Sequence, residues 1–189
     1  MKNIAVFASH GGSDLQAIID GCKAGKLSAR VCVVISNNSN SKALERAKNE
    51  GIPAFHISEK TASDSLGETM LNTLQTHKTD IVFLAGYLKK IPAQILQTYE
   101  NKIFNIHPSL LPKYGGKGMF GINVHKAVLE AGDTETGITI HRVTTEYDEG
   151  DILAQRKVPV HANDTPEILA ARVLEQEHIF IVEVLSRIL

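Results

Sequence analysis

The sequence predicts an α/β protein on one doubly wound, mostly parallel sheet, closed by a C-terminal hairpin and a long C-terminal helix. Three observations predict it. Short apolar, β-prone runs alternate with segments of helical period through the first hundred residues, which is the pattern of parallel strands covered by helices. The first run opens straight into a glycine-rich turn, Ser9-His10-Gly11-Gly12-Ser13-Asp14, and then a helical pattern. Late in the chain, two alternating runs precede the strong helix start Thr165-Pro166-Glu167: a cap, a proline at the first position and an acid in the first turn.

Taken in order, residues 4–8 are continuously apolar, as a strand buried on both faces requires. Leu15, Ile18, Ile19 and Cys22 follow at helical spacing. A second strand at 31–35 ends in Ser36-Asn37-Asn38-Ser39-Asn40, and a helix over 42–50 is stopped by Gly51. A short third strand at 54–57 leads to one mostly polar helix over 63–77, with Leu66, Met70, Leu71 and Leu74 as its buried stripe. Residues 81–85 form a fourth buried strand, and Ile103, Phe104 and Ile106 begin a fifth. A helix over 124–130 precedes hairpin strands at 137–143 and 152–160, and the last helix runs to 189 with Leu169, Val173, Phe180 and Val184 on its apolar stripe. With no repeat, low-complexity segment or linker, the 189 residues suit one domain over 1–189.

Composition narrows the function classes. A net charge of −1 without basic or acidic blocks leaves no large nucleic-acid footprint. No stretch could span a membrane, and the apolar start is too short for a signal-peptide core. Cys22 and Cys32 are too few for a disulfide scaffold and lie in apolar runs, so the expectation is buried, reduced thiols in a cytoplasmic protein.

Chemistry-bearing residues gather at the element ends. Asn105 and His107 interrupt the fifth strand at period two, so both side chains share one face, and Pro108 ends the strand. An amide and an imidazole then stand at a strand's C-terminal end, where open α/β sheets place ligands. Backbone partners would satisfy the same two groups. The turn at Gly12, Ser13 and Asp14 offers free amides at a helix N-terminus and suits a monophosphate, since it is neither G-x-G-x-x-G nor a P-loop. A tight turn capped by Ser13 or Asp14 is the simpler alternative. Tyr87, Leu88, Lys89, Lys90 and Ile91 combine an aromatic, aliphatics and cations on one loop, suited to a flat heterocycle with an anionic tail. The same run would also serve as a helix start, with Pro92 at the first position and the lysines in solvent. Four glycines in 115–121 around Met119 and Phe120 suit a lid or a plain surface loop. His141 lies at period two from Thr139, and the loop over 146–151 holds four carboxylates among which sequence physics makes no choice. Glu177 falls on the apolar stripe of the last helix, where a carboxylate must be paired (Arg172 is near in sequence), solvated through a cleft, or used.

The run Asn105-Ile-His-Pro-Ser-Leu-Leu-Pro-Lys-Tyr114 resembles the signature of the phosphoribosylglycinamide formyltransferase family, the folate-dependent glycinamide ribonucleotide transformylases of purine synthesis. Related folate formyltransferases and formyltetrahydrofolate hydrolase share only its Asn-x-His core, and the likeness extends over nearly the whole chain. The resemblance implies formyl transfer from 10-formyltetrahydrofolate, as co-substrate and without a metal, to the amine of glycinamide ribonucleotide. It implies Asn105, a protonated His107 and Asp148 as the catalytic set, with His141 orienting them. Gly12, Ser13, Asp14 and Glu177 would hold the ribonucleotide, and Tyr87, Leu88, Lys89, Lys90 and Ile91 with Asn105 the folate. A phosphate-binding half at about 1–100 and a folate and catalytic half at about 101–189 would follow, in a cytoplasmic monomer or homodimer whose partners are small molecules. Four features depart from the family pattern. Lys89 stands for the usual arginine, and Asp14 for the usual asparagine, awkward beside a phosphate unless it faces away. The 115–121 loop is longer, and an arginine near Ser63 is missing. Formyltetrahydrofolate hydrolase, with water as nucleophile and an extra N-terminal domain, is the first alternative. A metal hydrolase on His107, His141 and Asp148 and a non-catalytic nucleotide-binding module are the others.

Overall fold

The computed structural model describes all 189 residues. β1 (Lys2–Phe7) is the centre of the molecule: Ile4, Ala5, Val6 and Phe7 are fully buried because strands flank it on both sides and helices cover both faces. β2 (Ala29–Ser36) and β3 (Ala54–His56) add to one side of it in parallel. The chain then crosses back, and β4 (Ile81–Leu84) pairs with the other side of β1. That reversal of direction opens a crevice at the C-terminal strand ends, the usual ligand position of this architecture. β5 (Ile103–His107) runs parallel to β4, whereas β6 (Glu135–Arg142) and β7 (Ile152–Pro159) are antiparallel, giving the order β3-β2-β1-β4-β5-β6-β7.

The core has two layers. On one face of the sheet Leu15 and Ile18 of α1 (Ser13–Lys23) pack with Leu169, Val173 and Ile181 of α7 (Pro166–Ile188). α2 (Lys42–Asn49) adds Ala43 and Ala47 to the same layer. The other face is covered later in the chain. There, Met70 and Leu74 of α4 (Leu66–Thr76) and Ile95 of α5 (Ala93–Thr98) cover Phe7, Val33 and Val82. Each fully buried aliphatic contributes roughly 1.5–3 kcal/mol relative to exposure. α7 begins as its sequence demands, with Thr165 Oγ1 accepting from Ile168 N at 3.3 Å and Pro166 in the first position.

One predicted helix is broken. Instead of a single helix over 63–77 there is α3 (Glu59–Ala62), a 3-10 turn Ser63–Ser65 and then α4. Hydroxyls in this polar run bond the local backbone: Thr61 Oγ1 accepts from Ser58 N at 2.9 Å and Ser65 Oγ donates to Ala62 O at 2.8 Å. Ser63 is left at a φ of +38°, which no continuous helix contains. Both cysteines are free, but only Cys32 is buried; Cys22 is half-buried on α1. No helix is long and apolar enough to cross a membrane.

Candidate active site

β5 delivers Asn105 and His107 to one face, as period two requires, and β6 places His141 directly opposite Asn105 in the register. His107 is 4% exposed, and its Nε2 lies 2.7 Å from the Tyr114 carbonyl oxygen. A carbonyl only accepts, so Nε2 carries a hydrogen and Nδ1 is left facing Asp148 Oδ2 at 3.6 Å. The same argument settles His141. Its Nδ1 donates to the Arg142 carbonyl at 2.7 Å, so Nε2 accepts from Asn105 Nδ2 at 3.0 Å. The second amide hydrogen of Asn105 points at Asp148 Oδ1, 3.4 Å away. His141 therefore acts on Asn105 by direct contact.

Two donors hold Asp148. Gly116 N donates to its Oδ2 at 2.9 Å and Asn105 Nδ2 to its Oδ1 at 3.4 Å, and its backbone sits at a φ of +58°. A Cβ on Gly115 would lie 2.6 Å from Leu111 and 3.3 Å from the Asp148 Cβ, so glycine lets this segment approach. The end of the signature run and the glycines after it thus position both partners: the Tyr114 carbonyl fixes the imidazole and the Gly116 amide fixes the carboxylate.

Burial pulls the His107 pKa below its ordinary 6.5; the Asp148 charge and the Tyr114 carbonyl push it up without overcoming that, and His141 adds to the lowering. That direction favours the neutral ring, against the sequence expectation of a protonated His107. For Asp148 burial acts upward, yet His141, the His107 charge and the Gly116 amide together hold it below the usual carboxylate value. Asp148 is ionised beside two imidazoles.

These groups line a cavity of about 470 Å³. Tyr87, Leu88 and Ile91 form part of its wall, and the Tyr87 ring meets Phe7 edge-on at 5.3 Å between centroids. Burial, then the Glu59 charge, push the Tyr87 phenol up to about 12. Pro92 occupies the N-cap of α5, so the 87–91 run is a loop. Its lysines are exposed but have partners. Lys89 is 4.0 Å from Glu59, and Lys90 lies 3.7 Å from Glu146 and 5.3 Å above the Tyr147 ring. Met119 and Phe120 line the cavity from the glycine-rich loop.

The Gly12 turn and Glu177 also differ from their simplest readings. Gly12 itself, at a φ of +68°, is the N-cap of α1, so neither Ser13 nor Asp14 caps the helix. The first helical bond runs from Gln16 N to Gly12 O at 3.0 Å, leaving the amides of Ser13, Asp14 and Leu15 without helical acceptors. Asp14 does not face away: it lines the cavity, its Oδ1 buried without a hydrogen-bond partner. Burial pushes its carboxyl up to about 7. Arg172 is committed to Asp164 through contacts of 2.6 and 2.7 Å. Glu177 is therefore unpaired on the cavity wall, and burial, then the nearby Asp14, hold its carboxyl well above 4.5.

The formyl transferase family model matches residues 2–185. The chain belongs to that family. This formyl transferase is 47% identical to the chloroplastic phosphoribosylglycinamide formyltransferase of Arabidopsis thaliana, over 99% of this chain and 65% of the relative. It therefore spans a little under two thirds of that plant protein's length. It is 42% identical to the phosphoribosylglycinamide formyltransferase of Haemophilus influenzae, over 94% of this chain and 82% of the relative. Its fold matches the crystal structure of glycinamide ribonucleotide transformylase 1 from Geobacillus kaustophilus with a TM-score of 0.91 and 40% identity, over 100% and 99% of the two chains. A formyltetrahydrofolate deformylase structure from Pseudomonas syringae pv. tomato is more distant: TM-score 0.78, 25% identity, and only 61% of that chain covered.

One buried titratable group near His107 was missed from sequence. His125, on α6 (Ile122–Glu130), is 4% exposed with Nδ1 unpartnered. Burial, then the His107 charge, lower its pKa to about 4. Its place between Val124 and Val128 on an otherwise apolar helix face was the available signal. No three His, Cys, Asp or Glu side chains are grouped to hold a metal ion.

Proposed function

We propose that this formyl transferase moves the formyl group of 10-formyltetrahydrofolate to the amine of glycinamide ribonucleotide, a step of purine synthesis, in the cytoplasm and without a metal. The observation that carries the reading is the meeting of Asn105, His107 and Asp148 on one cavity that also reaches the first turn of α1. The amine nitrogen attacks the formyl carbon, a C–N bond forms, and the carbonyl oxygen becomes an oxyanion. Asn105 is the amide donor for that oxygen, its hydrogens turning from His141 and Asp148, where they point in the free protein. The ionised Asp148 takes the amine's proton, directly or through water. His107 Nδ1, left free by Tyr114 and 3.6 Å from Asp148, receives that proton from the carboxyl and passes it to the folate nitrogen as its bond to carbon breaks. Asp148 stabilises the transient imidazolium that delivery requires.

Substrate placement follows the same division. The free amides at Gly12, Ser13 and Asp14 hold the phosphate, Glu177 contacts the ribonucleotide, and the Tyr87, Leu88, Lys89, Lys90 and Ile91 wall holds the folate. The reading keeps a phosphate half at about 1–100, a folate and catalytic half at about 101–189, and a monomer or homodimer. Hydrolysis of formyltetrahydrofolate would use the same three groups with water. The transferase is favoured by closer likeness to the named transformylases than to the deformylase, 40% against 25% identity. The deciding assay offers 10-formyltetrahydrofolate with glycinamide ribonucleotide or with water alone. Formyl transfer only with the ribonucleotide is expected; equal loss of formyl groups without it would overturn the assignment.

A further inference from the structure

Two acids share the cavity where no base neutralises them. Asp14, in the first turn of α1, and Glu177, on α7, both line it, and neither forms an ion pair with a lysine or arginine. Glu177 is 7% exposed and has no hydrogen-bond partner. The nearest base to Asp14 is His178 Nε2, 3.6 Å from Oδ1, and both atoms are buried without partners. Burial, then the Arg46 charge, hold His178 below its ordinary value against the pull of Glu175, which disfavours a cation there. Arg46, reaching over from α2, spends its guanidinium on Gly11 O at 2.9 Å and Gln16 Oε1 at 3.3 Å. His10 in the preceding turn is exposed, and the cavity's other charged or titratable groups include Lys117, His107 and Asp148.

We propose that Asp14 and Glu177 work as one carboxyl pair, and that a phosphorylated substrate binds tightly only while Asp14 holds its proton. The inference rests on the substrate named under the proposed function. A phosphate drawn to the free amides of α1 meets Asp14 in the same turn. Ionised, that carboxylate repels the phosphate and competes for the amides. Protonated, it donates its O–H to a phosphate oxygen, as a neutral amide would. The charge of an ionised Asp14 adds to burial in keeping Glu177 protonated, so the two acids on this cavity carry at most one charge between them. Burial already brings the Asp14 carboxyl up to about 7, so the exchange falls within an ordinary assay range.

Calorimetric titration of glycinamide ribonucleotide into the full chain at pH 8, in buffers of different ionisation enthalpy, counts protons taken up on binding. The wild type should take up close to one proton more than Asp14→Asn, and its Kd should weaken about tenfold per unit above pH 7.5 while the variant's stays flatter. The substrate amine titrates in the same range but affects both proteins alike. Glu177→Gln, a second variant on another helix, replaces a carboxyl that the pair keeps protonated, so it should retain the wild type's extra proton uptake. Binding without a difference in proton uptake between the wild type and Asp14→Asn, or loss of the extra proton in Glu177→Gln, overturns the proposal. Absence of any ribonucleotide binding by the wild type overturns the substrate assignment as well.

Discussion

Replacing Asp148 by Asn removes one charge and little else. Asn tolerates the φ of +58° at this position, and its oxygen can still accept from Gly116 N. What disappears is a negative charge 3.6 Å from His107 Nδ1. A charge at that range moves a partner's pKa by about 1–3 units, or roughly 1.4–4 kcal/mol. The sign follows directly: without Asp148 the imidazolium is less favoured, so the already low His107 pKa falls further. If His107 must hold a proton to release the folate nitrogen, turnover should fall about 10- to 1000-fold, while ribonucleotide affinity changes by no more than about threefold. The assay is kcat and KM for formyl transfer over pH 5–9, with a parallel NMR titration of the His107 ring. Turnover within threefold of wild type, or a His107 titration that does not move downward, would refute the coupling between the two residues.

The other predictions concern metal, anion and pH. Incubation with excess chelator should leave formyl transfer unchanged; activity lost with a stoichiometric metal and restored by adding it back would revive the metal hydrolase. Crystals grown in sulfate or phosphate should show the anion on the backbone amides of Gly12, Ser13 and Asp14, and a substrate phosphate bound elsewhere would count against that turn. Stability should fall as pH drops from about 6.5 to 4, because the unfolded chain takes up a proton on His125 that the folded state refuses down to about 4. The contribution is up to roughly 3 kcal/mol, so in urea unfolding at pH 4.5 the His125→Phe variant should lose less stability on acidification than the wild type. Equal acid sensitivity in both would remove His125 as its source.

Much of the fold could be read because each decision was local. Residues 4–8 and 81–85 have no polar residue to place on a wet face, so they had to be interior strands, and both are. Thr165-Pro166-Glu167 starts its helix through the Thr165 side chain. The break at Ser63 was not read because helix propensity sums over a window, while Thr61 and Ser65 act through individual hydroxyls bonded to nearby backbone. The hydrophobic stripe of α4 was right, since Met70 and Leu74 are buried, but a stripe says nothing of where its helix begins.

The site divides along the same line. Asn105 and His107 were legible from one strand's period, and the structure keeps them on one face with His141. Their protonation was not, because it depends on what surrounds them. An imidazole at a strand end reads as a proton carrier in sequence, yet burial outweighs a carboxylate 3.6 Å away. Asp148 could not be picked out from Glu146, Glu149 and Asp151 by composition. What distinguishes it is a donor thirty-two residues earlier in the chain, the Gly116 amide, and its contacts with two histidines on neighbouring strands. Asp14 is the extreme case. Alone it looks like a helix cap, and Glu177 alone looks like half of an ion pair with Arg172. Only the packing of α1 against α7 on the core, together with the commitment of Arg172 to Asp164, leaves two acids facing one cavity. Two acids more than 160 positions apart in the chain have no local signature, and their chemistry follows from the absence of a third partner that only three dimensions reveal.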